Sequence, residues 1–300
     1  MSPSLPSANQ SPIQIPGHLD WHRGNGGLPK LRLTSDSAEA EVYLQGAHIT
    51  HFQKNGQPPI LFTSGSSRYE KGQPIRGGIP LIFPWFGPKE GAVAHGFARV
   101  SEWRLIEASL HPTAGVTAKL ELETTTYEGH PFTLTLAITL TDTLGLTLIT
   151  TNNSTDQVLE FEECLHTYFQ VGDISTVRIL GLNGARYLDK TDGFAEKVET
   201  RERIDIASET DRVYQDTTDT VDIVDPSLGR TLRVEKTGSR STVVWNPWEA
   251  RAKQLPDFGD EEYHRMVCVE SGNVGTNRVR LAPGETSQLS VILSVVPPLN

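Results

Sequence analysis

From Leu31 onward, apolar and polar residues alternate with a period of two, and this constrains the fold more than any other feature of the chain. LRLTS, EVYLQ and HITHFQ are short alternating runs, and Lys54-Asn55-Gly56-Gln57 is a turn with Asn-Gly at its centre. Glu102–Leu110, Gly115–Thr126, Phe132–Thr141 and Leu144–Asn152 continue the pattern, rich in Thr and Leu. A strand turns successive side chains to opposite faces, so threonine at every other position marks a wet face and leucine or isoleucine a dry one. Later runs, among them VRILGL, RIDIA, VDIVD, RTLRVEK, STVVWN, RMVCVES and SQLSVILSVV, read the same way. Only Trp248–Gln254 and Gly259–His264 suit short helices. About fifteen to twenty strands, with turns every 8–12 residues or so, predict a large all-β sandwich or barrel and no βαβ sheet.

A chain of 300 residues can bury a sizeable core, and all-β sandwiches of this size form single domains. No linker or internal repeat divides it, so 17–300 are expected to form one β-sandwich domain behind a disordered leader, 1–16. That leader lacks the basic and apolar regions of a signal peptide. No apolar run approaches the roughly 20 residues of a membrane helix. Two cysteines, Cys164 and Cys268, cannot make a disulfide framework and suit a reducing compartment. These features predict a soluble, cytoplasmic protein, a monomer with no membrane partner. A formal charge of −10 argues against nucleic acid, whose phosphates demand a basic face. A small anionic substrate would need a local cationic pocket, and Arg76, Lys89 and Arg99 are candidates to supply it.

Those three cations belong to a segment that breaks the strand pattern, Arg76–Arg99, RGGIPLIFPWFGPKEGAVAHGFAR. Proline cannot donate to a sheet ladder, and Pro80, Pro84 and Pro88 would break a helix. The segment is therefore irregular and rigid, with glycines that let the backbone approach something closely. Irregular segments held on a rigid scaffold carry function disproportionately.

Two strands carry titratable groups on apolar ground. Alternation puts Glu162, Cys164, His166 and Tyr168 on one face of Phe161–Val171, and Cys268 and Glu270 on one face of MVCVESG. A lone strand histidine is usually structural. A carboxyl in so apolar a strand is costly unless used or paired, and burial raises its pKa toward that of a useful base. The competing reading is a core glutamate bridged to Arg265 or Arg278. Each titratable group follows a cysteine by two residues, which predicts neighbouring strands with both sulfurs beside His166 and Glu270, and no disulfide. VVWNPW offers an aromatic sugar platform or core packing, and Trp245 is the tryptophan placed among the substrate-binding candidates. Among the aspartates of SETDRVYQDTTDTVD, mostly a solvated edge, Asp211 is the candidate to face a site. Zinc spacings, HExxH, G-x-S-x-G, GxGxxG and P-loop patterns are missing, so neither metal nor other cofactor is expected.

RGGIPLIFPWFGP followed by HGFAR, then LHTYF, then WNPWEARAKQLPDFGDEEYHRMVCVESGNV resemble the hexose-6-phosphate mutarotases (glucose-6-phosphate 1-epimerases) of the aldose 1-epimerase superfamily. The likeness runs from around Gly46 to the C-terminus. It implies a galactose-mutarotase-like supersandwich of two large, mainly antiparallel sheets. It also implies an isomerase that interconverts the α and β anomers of hexose 6-phosphates, glucose 6-phosphate first among them, without metal or other cofactor. By the same resemblance His166 is the general acid, Glu270 the general base, and Arg76 and Arg99 hold the phosphate of a small-molecule sugar phosphate. His95 contacts substrate, and Asp211, with Asp205 and Asp216 as alternatives in register, meets sugar hydroxyls. On this reading Glu270 acts as carboxylate and His166 as imidazolium. The rival functions are a mutarotase of unphosphorylated aldoses and a non-catalytic carbohydrate-binding protein on the same scaffold. A glycosidase is a weaker rival, since it calls for two carboxylates flanking the bond.

Overall fold

The computed structural model describes residues 13–112 and 115–297. Ile13–Pro16, the described part of the expected leader, are tied to the first strand: Ile15 bridges Leu19, and the Trp21 indole N–H donates to the Ile13 carbonyl at 2.8 Å. The rest of the leader lies outside the described residues.

Twenty-four strands occur among the described residues, more than the turn spacing predicts, because bends split several runs. Phe161–Val171 is one such run: it forms Glu163–Leu165 and Tyr168–Gln170, with His166 in the break between them. Two large sheets dominate, one of ten strands and one of eight, and every strand pair in them is antiparallel. The ten-stranded sheet carries the long Thr- and Leu-rich strands, including His130–Leu140, Leu144–Asn152 and Thr286–Val296. The eight-stranded sheet runs through Thr210–Gln215, Ser241–Asn246, Met266–Asn273 and Glu163–Leu165 to a two-residue edge strand, Leu81–Ile82. A four-stranded sheet covers Leu19–Lys54. One apolar cluster joins all three, with Leu31 and Phe52 from the small sheet, Leu136, Leu148 and Leu289 from the largest, and Val244, Val267 and Val269 from the third.

Burial alternates as the sequence pattern demands, and Gly115–Leu122 buries every second residue. The polarity rule fails locally at Ile149 and Thr150. The fixed period turns Ile149 partly outward and Thr150 fully inward. Two residues on, on the same face, buried Asn152 donates from Nδ2 to the carbonyls of Gln157 and Leu281. The Lys54–Gln57 turn forms, but no strand follows it, and Ile60 instead donates singly to the Phe52 carbonyl. Of the two expected helices, Trp248–Ala252 is a short α-helix and Glu262–Arg265 a single 3₁₀ turn. Among the described residues no helix is long and apolar enough to cross a membrane.

Candidate active site

The glycine-rich segment contributes Leu81–Ile82 to the sheet edge, with Leu81 opposite Leu165 and Ile82 opposite Cys164. Three of its glycines, Gly77, Gly78 and Gly96, approach the protein's own backbone. Gly78 has φ 62°, and a Cβ there would lie 2.1 Å from the Ile49 carbonyl oxygen; at Gly96, φ 72°, it would lie 2.0 Å from that of Phe83. Buried His48 fastens the segment from below, its Nε2 donating to the Gly77 carbonyl at 2.7 Å. The segment is therefore pinned at both ends, and it presents Arg76, His95 and Arg99 to one face of the eight-stranded sheet.

On that face His166 meets Glu270. Glu163 pairs with Asn273 and Tyr168 with Cys268, so the same register carries residue 166 opposite residue 270. The break in the strand sends the His166 and Tyr168 amides to the carbonyls of Pro80 and Gly78. The side chains complete the pair, with His166 Nε2 3.2 Å from Glu270 Oε1. The Cys164 thiol donates to Glu270 Oε2 at 3.5 Å, so the predicted neighbourhood of sulfur and acid is real, and both cysteines are free. Arg278 pairs with Glu160 instead.

Burial governs the protonation of the pair. Desolvation, reinforced by the charge of Asp211, pushes the Glu270 carboxyl well above its ordinary value. Desolvation also pushes His166 well below its own, helped by His95, Arg99 and Arg76. Burial thus works against charge on both groups, because taking a carboxylate and an imidazolium out of water is costly.

Rings wall in the imidazole. Tyr168 stacks on it with centroids 4.8 Å apart and planes within 10°. Trp245 meets it edge-on at 6.2 Å, and His95 at 5.7 Å. Trp248, by contrast, packs against the core and Tyr263. His95 sits at φ 64°, a left-handed conformation that costs a non-glycine residue roughly 1 kcal/mol or more. Its Nδ1 accepts from the Gly87 amide at 3.3 Å, which leaves Nε2 as the protonated nitrogen, and burial with nearby Arg99 lowers its pKa to about 3.

Two guanidiniums lie beside this cluster. Arg76 donates to the Tyr168 hydroxyl at 3.2 Å and to Asp257 at 3.1 Å, while Arg99 donates to the Ala94 carbonyl at 2.6 Å. The Nε atoms of both are buried without a partner. Desolvation lowers Arg99 to about 10, a cost that an arriving anion would relieve. Lys89 is not part of this pocket: it turns outward to Glu128 and the Tyr127 hydroxyl and lies over the Trp85 ring. Asp211 stands opposite Trp245 in the neighbouring strand. Lys190 holds its Oδ2 at 2.6 Å, and Oδ1 is buried with no partner. Asp205 is on the other large sheet and Asp216 pairs with Arg186 and Arg240 at the surface.

All seven sequence candidates, Arg76, His95, Arg99, His166, Asp211, Trp245 and Glu270, are thus tied by contact, register or charge to one locus. Lys190 and Asp257 were missed. Lys190 follows strand Arg186–Asp189 in a 3₁₀ turn and Asp257 sits in a loop, where alternation gives no direction. His166, Cys268 and Glu270 offer three donor atoms within 4.8 Å of one another. Burial raises the Cys268 thiol well above its ordinary value.

A model of the aldose 1-epimerase family matches residues 29–294. A protein of Escherichia coli K12 that carries the provisional name glucose-6-phosphate 1-epimerase is 36% identical over 240 residues, 78% of this chain and 79% of its own. One of Cenchrus ciliaris with the same provisional name is 33% identical over 283 residues, 90% of this chain and 86% of its own. A crystal structure of a Salmonella typhimurium protein, provisionally described as a mutarotase, superposes with a TM-score of 0.86 at 29% identity, covering 96% of this chain and 97% of that one. With the family pattern running through nearly the whole sandwich, the chain belongs to the aldose 1-epimerase family.

Proposed function

We propose that the protein interconverts the α and β anomers of hexose 6-phosphates, glucose 6-phosphate first among them, with His166 and Glu270 as the acid–base pair. The observation that carries this reading is the 3.2 Å contact between these groups beside two partly buried guanidiniums whose Nε atoms are buried without a partner. Opening a hemiacetal removes the proton from O1, forms the C1–O1 double bond, breaks the bond from C1 to the ring oxygen and protonates that oxygen. One group must take a proton while another gives one, a division of labour worth on the order of 10²–10⁴-fold for each group. A pair that holds a single proton between Nε2 and Oε1 supplies both roles. After rotation about C1–C2 the same transfers run backwards and close the ring on the other face.

Arg76 and Arg99 bind the phosphate, a planar fork matching two oxygens at once. Asp211, with its free Oδ1, accepts from sugar hydroxyls, Trp245 lies against the ring and His95 donates from Nε2. This placement lets an acidic protein accept a dianionic sugar. The two buried thiols remain free, which fits action in the cytoplasm. The test is exchange NMR of α- and β-glucose 6-phosphate with and without the protein. Enhanced exchange that vanishes in Glu270→Gln supports the reading, and undiminished exchange in that variant overturns it.

A further inference from the structure

Resting on that reading, we infer that Tyr168 is a positioning residue through which the substrate's phosphate prepares His166 for proton transfer. Tyr168 is 2% exposed and touches both ends of the site. Its hydroxyl accepts from Arg76, and its ring lies parallel beneath the imidazole. It is held there by Trp245, edge-on at 5.9 Å, and by its own main-chain bond to Gly78. The stack and the surrounding rings leave the imidazole little freedom to turn away from Glu270. Among the described residues no other side chain or backbone group holds His166 Nδ1, and the stacked and edge-on rings fix the ring plane.

Phosphate arriving at Arg76 and Arg99 acts in two ways. It cancels the two positive charges that help hold His166 uncharged, and it draws on the guanidinium bonded to the Tyr168 hydroxyl. The other groups facing the imidazole are Glu270 and Cys268 across the strand pair, Cys164 on its own strand, and His95 from the glycine-rich segment. Beyond them lie Lys190 and Asp211, whose charges reach Glu270. Unlike these groups, Arg76 is hydrogen-bonded to the ring stacked on His166. Binding energy from the non-reacting phosphate is thereby used at C1, and phosphate raises kcat as well as affinity.

The test supplies the substrate in two pieces. Anomer exchange of glucose is followed with and without phosphite dianion, and that of glucose 6-phosphate alongside, in wild type and Tyr168→Phe. Phosphite is expected to accelerate glucose exchange in wild type by about tenfold or more, and Tyr168→Phe to bring that ratio within about twofold of unity. On glucose 6-phosphate the variant should lose about tenfold in kcat with KM nearly unchanged. The ratio divides out any change in basal rate. A second readout needs no variant: the ring nitrogen shifts of His166 should move toward the protonated form when phosphite is added to wild type.

Full phosphite activation in Tyr168→Phe, a rise in KM alone, or His166 shifts indifferent to phosphite would each overturn the coupling. So would brisk exchange of glucose 6-phosphate with no phosphite effect on glucose, and that result would leave the anomerase reading intact. No exchange of glucose 6-phosphate by wild type would sink both.

Discussion

His166, in the break between two short strands, faces Glu270 on the antiparallel neighbour Met266–Asn273, an imidazole nitrogen 3.2 Å from a carboxyl oxygen, in surroundings that disfavour charge on either. Replacing either should therefore cost activity and little stability. Glu270→Gln and His166→Asn are each expected to lower kcat for glucose 6-phosphate by about 10³-fold, and the double variant by little more, because the two act as a unit. Thermal midpoints should stay within a few degrees of wild type or rise for Glu270→Gln, which removes a buried ionisable group. Exchange NMR and melting curves check both.

The arginines separate a sugar-phosphate enzyme from one for free sugars. Arg99→Ala should raise KM for glucose 6-phosphate by about 10²-fold, the scale of a lost charge-assisted contact, while changing exchange of glucose by no more than about threefold. Equal effects on the two sugars would argue for an unphosphorylated aldose as substrate.

Lys190 favours the ionised form of Asp211. Burial raises the pKa of this aspartate, and Lys190 is the main group opposing the rise. In Lys190→Met the carboxyl should titrate higher still, and KM at neutral pH should increase by about tenfold. The variant should regain affinity as pH is raised and Asp211 ionises, and Lys190→Arg should restore most of it. A KM profile between pH 5.5 and 9 distinguishes this from a loss of packing, which would not depend on pH.

Glu163 makes stability depend on pH. It is fully buried, accepts from Asn273 Nδ2 at 2.9 Å, and has its pKa raised by desolvation to about 7. Its folded pKa exceeds its unfolded one, so the folded state holds the proton more tightly. The stabilisation is whole below the ordinary carboxyl value and is lost as pH rises toward about 7, by an amount on the order of 3 kcal/mol. Urea midpoints of wild type and Glu163→Gln, compared at pH 5 and pH 8, should converge in acid and favour the variant in base.

The sequence by itself determined the strands. Period-two alternation survives in any sheet because backbone geometry enforces it, and Leu144–Asn152 appears with the bounds its pattern gives. It also marked His166 and Glu270, since titratable groups on apolar strands stand out against their neighbours. Tertiary structure alone decided which strands lie side by side and so brought residues 166 and 270 face to face. It put Lys89 outside the pocket and brought Lys190 and Asp257 to the site from turns that carry no periodic signal. It also set the burial that disfavours charge on both members of the acid–base pair, because desolvation follows from how much water the fold removes from each group, a quantity no local stretch of chain contains.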